Sequence, residues 1–290
     1  MTPSDQPASD PDPLLRTLAP EKVLAALGRV RTGRVFELGT ELGNGMPSGP
    51  AETFAPFRLS PYRTLRGLRD PAYAGHDFSM EVIGGSPHQG THIDAFTHIA
   101  SEGRIHGGHA VADAYDDLGW RVNGMEQTPP LILRGLALDM PRDLGLGDTL
   151  PDSFEIQPHH VEAALRARGL TVQDGDAVLV RTGKFAADYH RDPAAYFASQ
   201  PGVGPDAAIW LYERGMLVLG TDTSGTELFP LPDPTRTTHR AMLVERGVHL
   251  IEILDLEALV AAHVREFLLI CLPLRIRGGT GSWVRPVAIE

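Results

Sequence analysis

The 290 residues predict one α/β domain with mixed β-sheets and flanking helices, and three observations carry that reading. Apolar runs bounded by turn residues recur along the chain and read as strands. Segments with helical spacing lie between some of them, without the strict alternation that a doubly wound nucleotide-binding fold requires. A hydrophobic content of 42% supports one large core, and no linker interrupts the middle of the sequence.

The first ten residues, Met1 to Asp10, are rich in Pro, Ser and Asp and lack the basic and apolar regions of a signal peptide. They read as the start of a disordered arm covering residues 1–20, with the domain running from 21 to 290. Glu21 to Leu27 has helical spacing and stops at Gly28. Residues 33–87 carry scattered Gly and Pro, which predicts irregular chain threaded with short strands. Leu131 to Met140, Ala177 to Thr182, Met216 to Thr221 and Glu266 to Arg275 read as strands. His159 to Arg168 predicts a helix, with Val161, Ala164 and Leu165 on one side and Gly169 at its end. Pro205 to Arg214 predicts another, with proline at its start and Gly215 beyond it. There is no internal repeat and no glycine-rich phosphate loop, so nothing supports a nucleotide cofactor.

Charge and cysteine content narrow the function classes. A net charge of −11 with no basic clusters argues against nucleic acid and against an anionic membrane surface. No apolar run reaches the twenty or so residues that span a bilayer. The single cysteine, Cys271, lies in an apolar run and reads as a core residue rather than a nucleophile; it suits a reducing cytoplasm. The expected partner is a small-molecule substrate.

The chemistry concentrates in His88-Gln-Gly-Thr-His92-Ile-Asp94-Ala-Phe96-Thr-His98. His88, His92, Asp94 and His98 all occupy even positions, so a regular strand would present them on one face. His92 and Asp94 would lie roughly 6.6 Å apart along such a strand, and His88 and His92 about 13 Å apart. A bend at Gly90 would bring His88 closer. Imidazole with carboxylate suits zinc, manganese or iron. The competing reading, a histidine-rich edge strand without an ion, leaves imidazoles and a carboxylate on one face without partners. Farther along, Gly247 to Leu254 would place Glu252 on an apolar face with Val248, Leu250 and Leu254, which is costly unless a cation or donor meets it. His249 would point the other way and reads as structural.

The histidine stretch resembles the cyclase family of metal-dependent hydrolases, which includes kynurenine formamidase and isatin hydrolase. The family pattern His-x-Gly-Thr-His-x-Asp-Ala-Pro-x-His is matched except that Phe96 replaces proline. The resemblance extends through Val178–Gly183, Leu219–Ser224, Thr238-His239-Arg240 and Leu272–Arg275, covering residues 33–290. It implies a swivelling β/β/α fold, a homodimer or homotetramer, and one or two divalent ions, Zn or Mn. By resemblance His88, His92 and Asp94 hold one ion, and Asp94, His239 and Glu252 a second. His98 matches the catalytic histidine that passes a proton to the leaving nitrogen, with a ligand role as its alternative.

Other polar and aromatic residues keep two readings each. Phe96 and Trp120 could wall an aromatic substrate or pack in the core. His106 and His109, in the glycine-rich loop after the site, could contact substrate or lie on the surface. Asp222 and Ser224 could enter the site or cap a turn, and Thr91 reads as fixing the bend. The expected activity is metal-assisted hydrolysis of a C–N bond in a small amide, formamide or lactam. Arylformamidase activity of the kind used in tryptophan catabolism leads, followed by isatin ring opening and lactone hydrolysis. A structural or sensory metal protein without turnover is the rival class; a closed structural site would have four ligands, often with cysteines.

Overall fold

A computed structural model describes residues 12–65, 76 and 78–290. Its centre is a nine-stranded mixed sheet. In chain order its strands are β1 (Val35–Glu37), β2 (His92–Asp94), β3 (Leu131–Asp139), β4 (Asp176–Arg181), β5 (Met216–Thr221), β6 (His249–Glu252), β7 (Glu266–Cys271), β8 (Gly281–Trp283) and β9 (Val287–Ile289). They lie side by side as β1-β9-β7-β3-β4-β5-β6-β2-β8. The middle of the sheet, β3 through β6, is parallel. On either side the pairing becomes antiparallel, including β6 with β2 and β2 with β8.

Parallel strands need crossover connections, and helices supply them. α1 spans Pro20–Leu27, α2 Pro158–Arg168 and α3 Pro205–Tyr212. In α2 proline occupies the first turn, and the main-chain N–H of Gln157 donates to His160 Nδ1 at 3.1 Å. Gly169 ends it in the left-handed conformation at φ 63°. Val161, Ala164 and Leu165 of α2 and Ala207, Ala208 and Leu211 of α3 pack on one face of the sheet. On the other face Leu14, Met125, Leu256 and Leu259 join alternate residues of the same strands. Burial on both faces explains why β4 and β5 are buried along their whole length and read as continuous apolar runs. Cys271 lies in this second core, and burial pushes its thiol up to about 12.

Two expectations change. Residues 1–11 of the expected arm lie outside the described residues, but residues 13–18 form a 3₁₀ helix rather than a disordered tail. The reason is apolar: Leu14 is 1% exposed in the second core, and Asp12 caps the helix through a 2.8 Å bond from the Leu14 N–H. The strand expected to run to Arg275 stops at Cys271. The expectation for residues 33–87 holds among the described residues: irregular chain is threaded with β1 and an exposed antiparallel pair, Arg58–Arg63 against Met80–Gly84.

Within the sheet, Gly135 of β3 sits directly opposite Phe267 of β7, and a Cβ there would come within 2.2 Å of the phenyl ring. The ring fills the space that other strand residues give to their own side chains. Gly135→Ala is therefore expected to cost about 1–3 kcal/mol through overpacking, measured by urea unfolding. An unchanged midpoint would mean that the ring turns aside freely.

Candidate metal centre

β2 is only three residues long, so alternation places His92 and Asp94 on one face and goes no further. His88 reaches them through a turn in which Gly90 takes φ 64°. That turn is pinned from both sides. Thr91 N–H donates to Thr40 Oγ1 and Thr40 N–H to Thr91 Oγ1, each at 2.8 Å, and the Thr91 hydroxyl donates to the Ile253 carbonyl at 2.5 Å. Thr91 thus fixes the bend, as its sequence position suggested. Ile253 itself adopts φ 56°, a left-handed conformation that a β-branched residue rarely takes, immediately after Glu252. β6 therefore ends at the carboxylate.

Four side chains converge in a ring. His92 Nε2 lies 3.6 Å from Asp94 Oδ1 and 3.5 Å from Glu252 Oε2. His239 Nε2 lies 3.6 Å from Asp94 Oδ2 and 3.4 Å from Glu252 Oε1. These separations are long for ordinary hydrogen bonds. They are spacings at which a cation between imidazole and carboxylate, rather than a direct hydrogen bond, would join the groups. Asp94 Oδ2 is buried and has no hydrogen-bond partner, which burial penalises unless a cation meets it. The donor set fits a divalent ion.

The histidine tautomers agree with that fit. His92 Nδ1 faces the Gly90 carbonyl at 2.8 Å, and His239 Nδ1 faces Glu227 Oε2 at 2.5 Å. Both acceptors require Nδ1–H and leave Nε2 directed into the ring. Residue patterning put His92, Asp94 and Glu252 forward and family resemblance added His239, and tertiary structure brings all four together. His88, His92 and Asp94 come together as one donor group, the first set implied by resemblance, and Asp94, His98 and His239 form a second, with Glu252 beside both His92 and His239. His88 stands beside the ring, with Nδ1 2.9 Å from Asp94 Oδ1 and Nε2 2.9 Å from Thr280 Oγ1. His98 is stacked on His88 with ring centroids 3.9 Å apart and also lies within ligand range of Asp94 and His239.

Charge follows burial here. Burial lowers His98 to about 3, against the opposing pull of Asp94, so its imidazole is neutral at physiological pH. Burial would also lower His92, but the neighbouring carboxylates of Glu252 and Asp94 raise it overall. Burial would raise Asp94, and the surrounding imidazoles of His98, His239 and His88 instead hold it well below the usual carboxylate range.

The aromatic candidates fall elsewhere. Phe96 is 4% exposed, stacked on His249 at 4.1 Å and tilted against His106 at 4.7 Å, so its faces are used in packing. Trp120 packs on Tyr115 and borders a small cluster of Ile105, Ala114 and Val122. His106 is half-buried, with Nδ1 at 3.1 Å from the Val244 carbonyl, and His109 is half-buried too. Asp222 accepts from Thr182 N, Thr182 Oγ1 and Gly183 N, tying two turns together, and Ser224 donates to Gln200. An aromatic that sequence reasoning missed is Trp283. It lies opposite His92 in the β8–β2 pair, hence on the same face, and meets Phe57 edge-on at 5.4 Å. Its indole N–H is buried without a partner. Only strand register reveals this, and an edge strand of three residues gives no sequence signal.

A curled mixed α/β sheet carrying a buried His/Asp/Glu ring defines a protein built around a divalent-ion centre. Comparison with known proteins gives the family: the Cyclase family model matches residues 36–228, and the chain belongs to that family. Cyclase-like protein 3 from Oryza sativa subsp. japonica is 28% identical over 206 residues, 70% of this chain and 63% of its own length. The match thus spans less than two thirds of that relative. A solved structure described as a novel cyclase aligns at TM-score 0.87 with 25% identity, over 97% of this chain and 96% of its own. Isatin hydrolase A from Labrenzia aggregata, bound to benzyl benzoate, aligns at TM-score 0.65 with 23% identity, over 96% and 98% of the two chains. That last likeness is one of fold. Among the described residues no helix is long and apolar enough to cross a membrane.

Gly281, opposite Asp94, tests how tightly this ring is built. A Cβ there would lie 2.6 Å from His88 Cε1. Gly281→Ala is expected to push His88 off Asp94 and to lower bound metal in the purified protein while far-UV circular dichroism stays unchanged. Full metal content in the folded variant would show that His88 has room to spare.

Proposed function

We propose that the protein is a metal-dependent hydrolase that cleaves the C–N bond of a small amide, formamide or lactam. The observation that carries this reading is the ring of His92, Asp94, His239 and Glu252, spaced 3.4–3.6 Å apart around a buried carboxylate oxygen with no partner. A divalent ion, Zn or Mn, would supply Lewis acidity there, polarising a carbonyl and lowering the pKa of a coordinated water. His88 and His98 offer further donors on the Asp94 side, which leaves room for one or two ions.

The chain's own residues supply the rest of the chemistry. His98 stands within ligand range of Asp94 and His239, where it can take the proton that the attacking water gives up. Passing that proton to the leaving nitrogen returns His98 to its neutral form and releases an amine. Stacking on His88 holds the imidazole in place for both transfers. Trp283 lies opposite His92 on the same face and, with Phe57 edge-on to it, favours a planar aromatic substrate. An aryl formamide of the N-formylkynurenine kind fits this wall. The second reading is hydrolytic opening of an isatin-like lactam, favoured by the fold shared with isatin hydrolase A.

Metal content and hydrolysis of N-formylkynurenine, isatin and aryl lactones should be measured together on metal-reconstituted protein. Asp94→Ala is expected to lose metal and activity in parallel. His98→Ala should keep most of its metal while turnover falls roughly 100-fold or more. Metal retention by Asp94→Ala, or absence of any chelator-sensitive hydrolysis across the panel, would remove this reading. Metal loss from His98→Ala would make His98 a ligand instead.

A further inference from the structure

His239 and Glu252 come from different parts of the chain, yet both are braced by one turn. Thr226 Oγ1 donates to Glu252 Oε1 at 2.8 Å. Glu227 Oε2 accepts from both the ring Nδ1 (2.5 Å) and the main-chain N–H (3.2 Å) of His239. Adjacent residues thus orient half of the donor ring. The turn that carries them has no regular structure, so its main-chain polar groups need partners from elsewhere.

Gln200 supplies them. Its side chain is buried, with the residue only 2% exposed. Oε1 accepts from Ser224 N (2.9 Å), Ser224 Oγ (2.7 Å) and Gly225 N (3.3 Å). Nε2 donates to the carbonyls of Gly225 (2.5 Å) and Glu227 (2.9 Å). Only an amide offers two donors and two lone pairs in one plane, which is what a turn exposing both N–H and C=O groups demands. The main chain of Gln200 also pairs with Phe229 in both directions, so the turn is gripped at both ends. Gly202 lets the turn lie close, since a Cβ there would fall 2.0 Å from the Glu227 carbonyl carbon.

We infer that Gln200 is a positioning residue for the metal centre, acting through Glu227 on His239 and through Thr226 on Glu252. The inference rests on the metal-centre reading above. Glu227 is the direct intermediary: a carboxylate only accepts, so His239 keeps its proton on Nδ1 and turns the Nε2 lone pair into the ring. Loss of the Gln200 amide frees residues 224–227 and with them the aim of both ligands. Replacement by glutamate would be worse than shortening. It removes both Nε2 donors and adds a negative charge beside Glu227.

Cobalt(II) is the probe, because competition against a chelator reads its affinity and its visible absorption reads ligand geometry. Gln200→Ala and Glu227→Ala are expected to weaken cobalt binding by about 10–100-fold, the usual cost of losing an outer-shell partner, and to alter the absorption band. Glu227→Gln, whose amide oxygen can still accept from Nδ1–H, should recover much of the affinity. All measurements are made well below each variant's melting temperature. Wild-type affinity and spectrum in folded Gln200→Ala and Glu227→Ala would overturn the inference. Should Gln200→Ala not fold, the Glu227 pair decides, with equal affinities of Ala and Gln variants counting against it. His239→Ala separates the two levels. If it too binds cobalt like wild type, the metal-centre reading has failed. If it alone loses cobalt, only the positioning role has failed.

Discussion

Two carboxylates, Asp94 and Glu252, sit in the interior with exposures of 0% and 3%, and the architecture around them answers that one electrostatic demand. A buried ionised carboxylate must be paired, hydrogen-bonded or bound to a cation. Glu252 has Thr226, and Asp94 Oδ1 has His88, but Asp94 Oδ2 faces only imidazole nitrogens beyond hydrogen-bonding reach. The parallel centre of the sheet ends beside this cluster. The antiparallel strand β2 is laid against β6 so that His92 pairs with Glu252. The change from parallel to antiparallel pairing is what brings ligands from distant parts of the chain onto one face.

The back of β2 is held with comparable care. His249 is fully buried on the opposite face from the ring; its Nδ1 meets the Asp94 carbonyl at 2.7 Å and its Nε2 meets Asp12 Oδ2 at 2.8 Å. Both partners are acceptors, and they raise His249 against the effect of burial. Phe96 stacks on the same ring, which explains why a large aromatic fits where the family pattern has proline: here the residue closes the packing behind the site. The 3₁₀ helix at residues 13–18 brings Asp12 to this position, so the start of the described chain belongs to the support of the metal strand.

Much of this was legible in the sequence. Apolar runs bounded by turn residues located the central strands, helical spacing closed by a glycine located α2, and proline-to-glycine bracketing located α3, because these signals are local and follow from backbone sterics and burial. His88, His92, Asp94 and His98 were visible from spacing, and Glu252 from the cost of a carboxylate on an apolar face. His239 had no local signal and came only from family resemblance. Gln200, Glu227 and Trp283 had none at all. Their roles depend on a hydrogen-bonded turn and on strand register, which neighbouring residues do not encode.

The sequence by itself therefore determined the class of fold, the central strands and helices, and the identity of most donors, since periodicity and residue chemistry act over a few positions. Tertiary structure alone decided that His92 faces Glu252 rather than standing apart from it, and that Phe96 packs inward while Trp283 takes the place beside the ring. It also decided that residues 13–18 are folded, because Leu14 finds an apolar core and Asp12 a buried imidazole more than two hundred residues away. The physical reason is common to all of these. Burial and hydrogen-bond partners are set by contacts between segments far apart in the chain, and a local pattern can show that a polar group needs a partner without showing which one it meets.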